Sequence, residues 1–300
     1  MVREYVFSPV NVPLLTPQAA ARIVRLAAQH AGEDVLRISV TLDIGLSWSN
    51  ALLKPAAGEV VLPDAGVTLP LKALEEVASS TAVHVLINGE LRPLMLYDSE
   101  KRRHYKLRSL GEDVAPTLEI NGIHMHRIEG VDPIRDSIAK VRALGRLRKA
   151  LVLDVCTGLG YTASLELRGG AATVITVEVD ENVLNLARYN PWSRGLRSAK
   201  ILLGDATEVI RELEDGSFTH VLHDPPRFAL AGHLYSLEFY RELYRVLKPG
   251  GKIFHYVGSP GRRRGISFAK GVKERLRAAG FEHIRWVEGA QGFAALKPRW

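Results

Sequence analysis

Apolar and polar positions follow two different rhythms along this chain, and the change falls near residue 130. In the first part, short apolar runs predict strands over 36–42, 47–53, 59–62, 82–87, 91–97, 104–110 and 117–127. Two segments carry helical spacing instead. One is 17–29, with Ala21, Ile23, Val24, Leu26 and Ala27; the other is 71–79. Asn88-Gly89 and Asn121-Gly122 lie between apolar runs and read as hairpin turns. Residues 1–130 therefore read as a small, strand-rich α+β domain.

From residue 132 the texture becomes regular. A helix over 132–147 opens with Asp132 as N-cap and Pro133 at its first position. Strands at 151–155, 173–178, 200–203, 220–223 and 252–257 then alternate with helices at 161–167, 183–189, 207–213, 234–247 and 267–279. Strands separated by helices make a parallel, doubly wound sheet, so residues 131–300 form a second domain of α/β class. The runs 283–287 and 293–296 have no helix between them and predict a closing hairpin, which places an antiparallel strand at the sheet edge.

Composition narrows the function classes. The chain has 300 residues, 46% hydrophobic and 24% charged, which excludes whole-chain disorder and suits two domains. No apolar run approaches the roughly 20 residues of a membrane span, and no secretory signal is expected. Cys156 is the single cysteine, so the expectations are a reducing cytoplasm and no cysteine-built metal cage. His124 and His126 share a strand face, yet no further metal ligand accompanies them. The net charge of +7 is uneven: residues 1–130 sum to −2 and the remainder to +9. That excess invites a polyanionic partner, of which nucleic acid is the commonest. Arginines outnumber lysines 28 to 12 and glutamine is scarce, a bias found in heat-adapted proteins.

The candidate cofactor site is the stretch VLDVCTGLGYTA, residues 152–163. An apolar strand runs into Asp154, then a loop with Gly158 and Gly160, then a helix opening at Tyr161 and Thr162. Glycines let backbone approach a ligand and adopt positive φ. The spacing alone also fits a nicotinamide loop. Asp154 decides between them, because a carboxylate at the strand tip repels a diphosphate but suits the ammonium and sulfonium of S-adenosylmethionine. Glu178 ends the next strand, where a carboxylate can accept from ribose hydroxyls, with Val179 following. Asp205-Ala206 follows the third strand and resembles the position at which S-adenosylmethionine-dependent enzymes hold an acid near the adenine amine; the plainer reading of Asp205 is a helix cap. Thr157 completes the cofactor set.

The fourth strand ends in His223-Asp224-Pro225-Pro226-Arg227-Phe228. Asp224 and the Pro225 carbonyl can each accept a proton of an amine whose lone pair is delocalised, which favours the tetrahedral nitrogen formed as a methyl group arrives. Two prolines, Pro225 and Pro226, stiffen those acceptors. The stretch resembles the D/N-P-P-aromatic motif of methyltransferases that modify exocyclic or amide nitrogens. It departs at the fourth position, where Arg227 replaces the aromatic and Phe228 follows. A parallel sheet closed by a hairpin is likewise the architecture of class I S-adenosylmethionine-dependent methyltransferases. With DVCTGLGYT and HYVGSPG, residues 120–300 are similar to an archaeal group acting on the cytidine N4 amine of ribosomal RNA. The resemblance implies a Rossmann-like fold, S-adenosylmethionine as donor with S-adenosylhomocysteine as product, and RNA as partner.

Phe228, Tyr235 or Tyr240 can supply a stacking face for a base, or Arg227 its guanidinium plane. Arg262, Arg263 and Arg264, between two glycines after the fifth strand, suit a mobile phosphate clamp. Residues 100–108 form a second basic stretch with aromatics. On the helix over 132–147, Asp132, Arg135 and Lys140 face either a cofactor or, as a plain surface helix would have them, water. Other readings stay open: an N-methyltransferase of a protein amide or small molecule, an aminopropyltransferase, and a non-catalytic RNA-binding protein.

Overall fold

The computed structural model describes residues 2–258 and 262–299, without the side chains of 262–267. It divides into two compact units. One comprises residues 1–8, 134–184 and 193–300; the other comprises 9–133 and 185–192.

In the second of these, the helix Pro17–Gln29 forms where the spacing predicts it. Thr16 caps it by accepting from the Ala19 N–H, and Pro17 fits the first turn, where no N–H is required. Its buried stripe of Ala19, Ala20, Ile23 and Ala27 packs with Leu74 and Val77 of the helix Leu71–Ala78, and with Ala51, Leu53 and Val60 of a four-stranded antiparallel sheet. Asn88-Gly89 and Asn121-Gly122 are hairpin turns, with positive φ at all four residues. Two single-strand expectations change. The run 117–127 folds back at Asn121-Gly122 into strands Thr117–Ile120 and Ile123–His124. The run 91–97 breaks at Leu94, whose N–H donates to Val83 and whose carbonyl accepts from Leu107, so the chain changes sheets there.

The other unit holds one eight-stranded sheet. Its strands are β1 (Arg3–Tyr5), β2 (Leu151–Val155), β3 (Thr173–Glu178), β4 (Lys200–Leu203), β5 (Phe218–His223), β6 (Leu247–Tyr256), β7 (Glu282–Val287) and β8 (Gly292–Leu296). The order is β1-β4-β3-β2-β5-β6-β8-β7. Strands β2 to β6 are parallel, and β8 enters antiparallel between β6 and β7, as the closing hairpin requires. The sequence gives no sign of β1, which pairs antiparallel with β4 on the opposite edge; three residues are too few to display alternation. The fold is Rossmann-like, mostly parallel with antiparallel edges.

Its core joins Leu153 and Val155 of β2, Val221 of β5 and Ile253 of β6 to Phe239, Tyr240 and Leu243 of the helix Leu237–Val246. That helix begins three residues later than the pattern predicts, because Ser236 caps it through the Phe239 N–H. The last long helix, Arg262–Ala278, begins five residues earlier than expected. The triple arginine thus belongs to a helical first turn rather than a loop. Its side chains, and Gly261, lie outside the described residues. The chain winds outward from β2 to β3 and β4, then crosses to β5 and β6. Strand order therefore reverses between β2 and β5, where open α/β sheets form their ligand crevice.

Candidate active site

The loop after β2 turns on three left-handed residues, Cys156 (φ +76°), Gly158 (φ +53°) and Gly160 (φ +72°). They serve different purposes. A β-carbon at Gly160 would fall inside the Leu196 side chain, so packing excludes it. A β-carbon at Gly158 would meet nothing, so the space beside it is open to a ligand. Cys156 adopts a conformation costing of order 1–3 kcal/mol for a residue with a β-carbon. The Cys156 and Thr157 N–H groups donate to the Val177 carbonyl at 3.1 and 2.9 Å and pin the loop to β3.

The structure revises three of the expected cofactor contacts. The Thr157 hydroxyl lies 2.7 Å from that of Thr176, Tyr161 is 2% exposed, and the Thr162 hydroxyl donates to Asp154 Oδ2 at 2.8 Å. These side chains face the protein: Thr157 is turned to the neighbouring strand by Thr176, and the helix Tyr161–Arg168 buries Tyr161 and Thr162. Asp154 is wholly buried and its Oδ1 has no partner. Burial pushes its acid up to about 8, against the pull of Thr162. Glu166, in the same helix, was not anticipated. It too is wholly buried, without a hydrogen bond to either oxygen, and burial raises it well above the carboxylate range, with Asp154 adding to the rise.

Glu178 braces the loop from β3. Its Oε2 accepts from the Gly158 N–H at 2.9 Å, and Oε1 accepts from Val179 and Asp180, both at 3.0 Å. Burial raises it to about 7 despite those donors. Val179 is 63% exposed, an apolar side chain on the open rim. Asp205 caps the helix Ala206–Glu212, with Oδ1 accepting from the Thr207 N–H and hydroxyl at 2.7 and 2.6 Å. The plainer reading of Asp205 describes that oxygen, while Oδ2 stands 3.9 Å from His233 Nε2.

At the end of β5 the Asp224 N–H donates to the Val155 carbonyl at 3.2 Å, tying the Asp-Pro-Pro loop to the strand that carries Asp154. Asp224 Oδ2 accepts from Lys140 Nζ at 2.7 Å. Lys140 also pairs with Asp136 at 2.9 Å and lies 4.0 Å from the centroid of the Tyr256 ring. The surface-helix reading of Lys140 is thereby corrected: its side chain is 3% exposed, because the helix Pro133–Leu144 turns Asp136, Ser137 and Lys140 inward. Burial alone would lower the lysine, but Asp224 and Asp136 raise it above its usual range. Burial raises Asp224, Lys140 pulls it back and Asp136 pushes it up.

Tyr235, expected to meet substrate, is 2% exposed and donates to the Pro226 carbonyl at 3.0 Å, so it supports the loop from beneath. Tyr240 is likewise enclosed, 2.8 Å from His255 Nε2, and His255 stacks on His223 with centroids 4.4 Å apart. Burial holds His223 at about 4, so a neutral aromatic layer underlies the loop. Phe228 is the aromatic left open, 52% exposed and edge-on to Tyr235 and Phe268. Arg227 beside it is exposed. The basic stretch 100–108 divides between two faces of a strand. Tyr105 and Leu107 are core, while Lys106 and Arg108 pair with Glu119 at 2.7 and 2.9 Å. Among the described residues no cluster suits a metal ion, and no helix is long and apolar enough to cross a membrane.

Residues 152–251 match the family described as "Methyltransferase domain". Over that stretch, a third of its length, the chain is similar to methyltransferase domains. Over 189 residues it is 54% identical to an uncharacterised protein of Methanocaldococcus jannaschii, covering 62% of this chain and 65% of that one. Over 132 residues it is 30% identical to the ribosomal RNA large subunit methyltransferase I of Aliivibrio fischeri, covering 41% of this chain and 33% of that one. The chain therefore spans less than two thirds of the length of either relative. In fold it is similar to a spermidine synthase solved with the transition-state analogue AdoDATO: TM-score 0.55, 18% identity, 69% of this chain and 73% of the other.

Proposed function

We propose that this protein is an S-adenosylmethionine-dependent methyltransferase acting on an exocyclic amine of an RNA base, with cytidine N4 of ribosomal RNA as acceptor. The observation that carries this reading is Asp224, an oriented carboxylate on a loop stiffened by two prolines and hydrogen-bonded to the strand of the glycine loop.

The residues present fit the donor. Asp154, with its buried unpartnered Oδ1, suits the ammonium, Glu178 the ribose, Val179 the adenine face and Asp205 Oδ2 the adenine amine, with Gly158 leaving the backbone approach open. When bound, it supplies an activated methyl group. Asp224 Oδ1 and the Pro225 carbonyl accept hydrogen bonds from the two amine N–H groups, which localises the nitrogen lone pair without later reorganisation. Phe228 offers a ring to a base that is unpaired or flipped from its helix. Arg227, exposed beside Phe228, suits a phosphate of the RNA backbone.

The deciding measurement is methyl transfer from isotope-labelled S-adenosylmethionine to unmodified ribosomal RNA transcripts, followed by nucleoside mass spectrometry. Label in N4-methylated or dimethylated cytidine is the expected result. Label in protein alone, or in no nucleoside while the cofactor binds, overturns the RNA reading. The fold likeness to a spermidine synthase favours one second reading, transfer of an aminopropyl group. Spermidine formed from putrescine and decarboxylated S-adenosylmethionine is its signature.

A further inference from the structure

Lys140 reaches the site from a helix that carries no recognisable motif. Burying an ammonium is costly unless it is paired and hydrogen-bonded. Here Lys140 Nζ meets Asp224 at 2.7 Å, Asp136 at 2.9 Å and the Tyr256 ring at 4.0 Å. One cation serves two carboxylates, and one of the two belongs to the Asp-Pro-Pro loop. A lysine needed only to neutralise Asp136 could do so without reaching β5.

We propose that Lys140 is a positioning residue for methyl transfer, holding Asp224 by Oδ2 so that Oδ1 is presented to the acceptor nitrogen. This rests on the methyltransferase reading above. Among the described residues Asp224 Oδ1 takes no protein hydrogen bond, and the side chain is 20% exposed. The backbone is fixed as well, by the Asp224 N–H to Val155 and by the ring of Pro225. With Oδ2 occupied and the backbone held, the carboxylate has one orientation and one free oxygen.

The pairing also sets what kind of base Asp224 is. As the nitrogen lone pair bonds to the methyl carbon, the carbon–sulfur pair leaves with sulfur and the nitrogen becomes cationic. Its proton then passes to Oδ1 and onward to water at the exposed side of Asp224. A proton on a cationic amine is acidic, so a carboxylate weakened by an ion pair suffices, provided that it is ionised. The groups acting on Asp224 are Lys140 and Asp136 from the helix, Asp154 and Cys156 from β2 and its loop, and Tyr235, while Tyr256 lies against Lys140. Of these only Lys140 favours the charge.

Two substitutions should therefore move the acid limb of activity in opposite directions. Lys140→Met removes the counter-charge, so Asp224 takes up its proton at higher pH. The acid limb of kcat should rise by about one pH unit or more, and kcat at neutral pH should fall on the order of 100-fold. Asp136→Asn removes a like charge, so the limb should move to lower pH. Lys140→Arg restores the charge and should return the limb to its wild-type position.

The experiment is the pH profile of labelled methyl transfer to unmodified ribosomal RNA transcripts, with cofactor affinity by calorimetry alongside. Opposite shifts with unchanged cofactor affinity support the proposal. If Lys140→Met fails to fold, the downward shift in Asp136→Asn and the unmoved limb in Lys140→Arg carry the test. Unmoved limbs in active variants, or weakened cofactor binding with a wild-type pH profile, overturn the role of Lys140 alone. Wild-type protein that binds cofactor and transfers no methyl group overturns the underlying reading and this inference together.

Discussion

The glycine loop after β2 and the Asp-Pro-Pro loop after β5 each bring a carboxylate to the end of a central strand, and burial raises both acids. They differ in what opposes the rise. Asp154 has one hydroxyl in contact, from Thr162, with Lys140 adding a smaller pull without a hydrogen bond, and its acid reaches about 8. Asp224 has a buried lysine. A carboxyl with no cation in direct contact is suited to a ligand that brings one, such as the ammonium of the proposed donor. A carboxylate supplied with its own cation is suited to accept hydrogen bonds from a neutral amine. Two aspartates on neighbouring parallel strands thus divide the work by their surroundings, not by their chemistry.

The largest effect expected from breaking this comparison is at Asp224. Asp224→Ala should lower single-turnover methyl transfer by roughly 10²–10⁴-fold, while calorimetry shows cofactor affinity preserved. Near-normal turnover would remove Asp224 from the mechanism. Next is Asp154→Asn, which should cost cofactor affinity roughly ten- to a hundredfold, the worth of a hydrogen bond to a charged group. The two variants should therefore separate binding from transfer.

The pH dependence of binding sharpens the same contrast. On the proposed reading it is the ionised form of Asp154 that meets the ammonium, and its ionised fraction grows as pH rises toward about 8. Cofactor affinity should accordingly strengthen between about pH 6 and 7 in the wild type, below the range in which an α-amino group loses its own proton, and stay flat in Asp154→Asn. A wild-type affinity independent of pH in that range would place the ammonium elsewhere.

The two loop glycines give a smaller contrast. Gly160→Ala drives a β-carbon into Leu196 at positive φ, so thermal unfolding should show a loss of about 1–3 kcal/mol. Gly158→Ala meets open space, so its stability loss should be about 1 kcal/mol, and its main effect should be weaker cofactor binding. Smallest is Tyr235→Phe, which removes the hydrogen bond to the Pro226 carbonyl. It should cost about 0.5–1.5 kcal/mol of stability and slow transfer only a few-fold.

Much of this was legible from local patterns. The spacing over 17–29, the alternation from residue 151 onward and the Asn-Gly turns specify their own backbone, because side-chain period and turn chemistry act within a few residues. The two loops were legible for the same reason, since Asp154, Gly158, Gly160, Asp224 and the prolines lie in contiguous stretches. What was misjudged depends on distant partners. Tyr235 looked like a substrate contact until its hydroxyl was placed on Pro226. Thr157 reads as a ligand contact, but Thr176 on the next strand takes its hydroxyl, and the packing of the helix Tyr161–Arg168 turns Tyr161 inward. The strand at Arg3–Tyr5 has no pattern of its own and exists because β4 offers an edge.

By itself, then, the sequence determined the alternation of strands and helices from residue 151 onward, the Rossmann-like class, the hairpin edge and the two loops that carry carboxylates. Those features follow from periodicity and from backbone preferences confined to neighbouring residues. Only the tertiary structure decided the charge environment of each carboxylate. Lys140 lies 84 residues from Asp224 in the chain, and no local pattern marks the two as partners. They meet because the helix Pro133–Leu144 buries that face, and a buried charge must find its counter-charge wherever the fold has placed one.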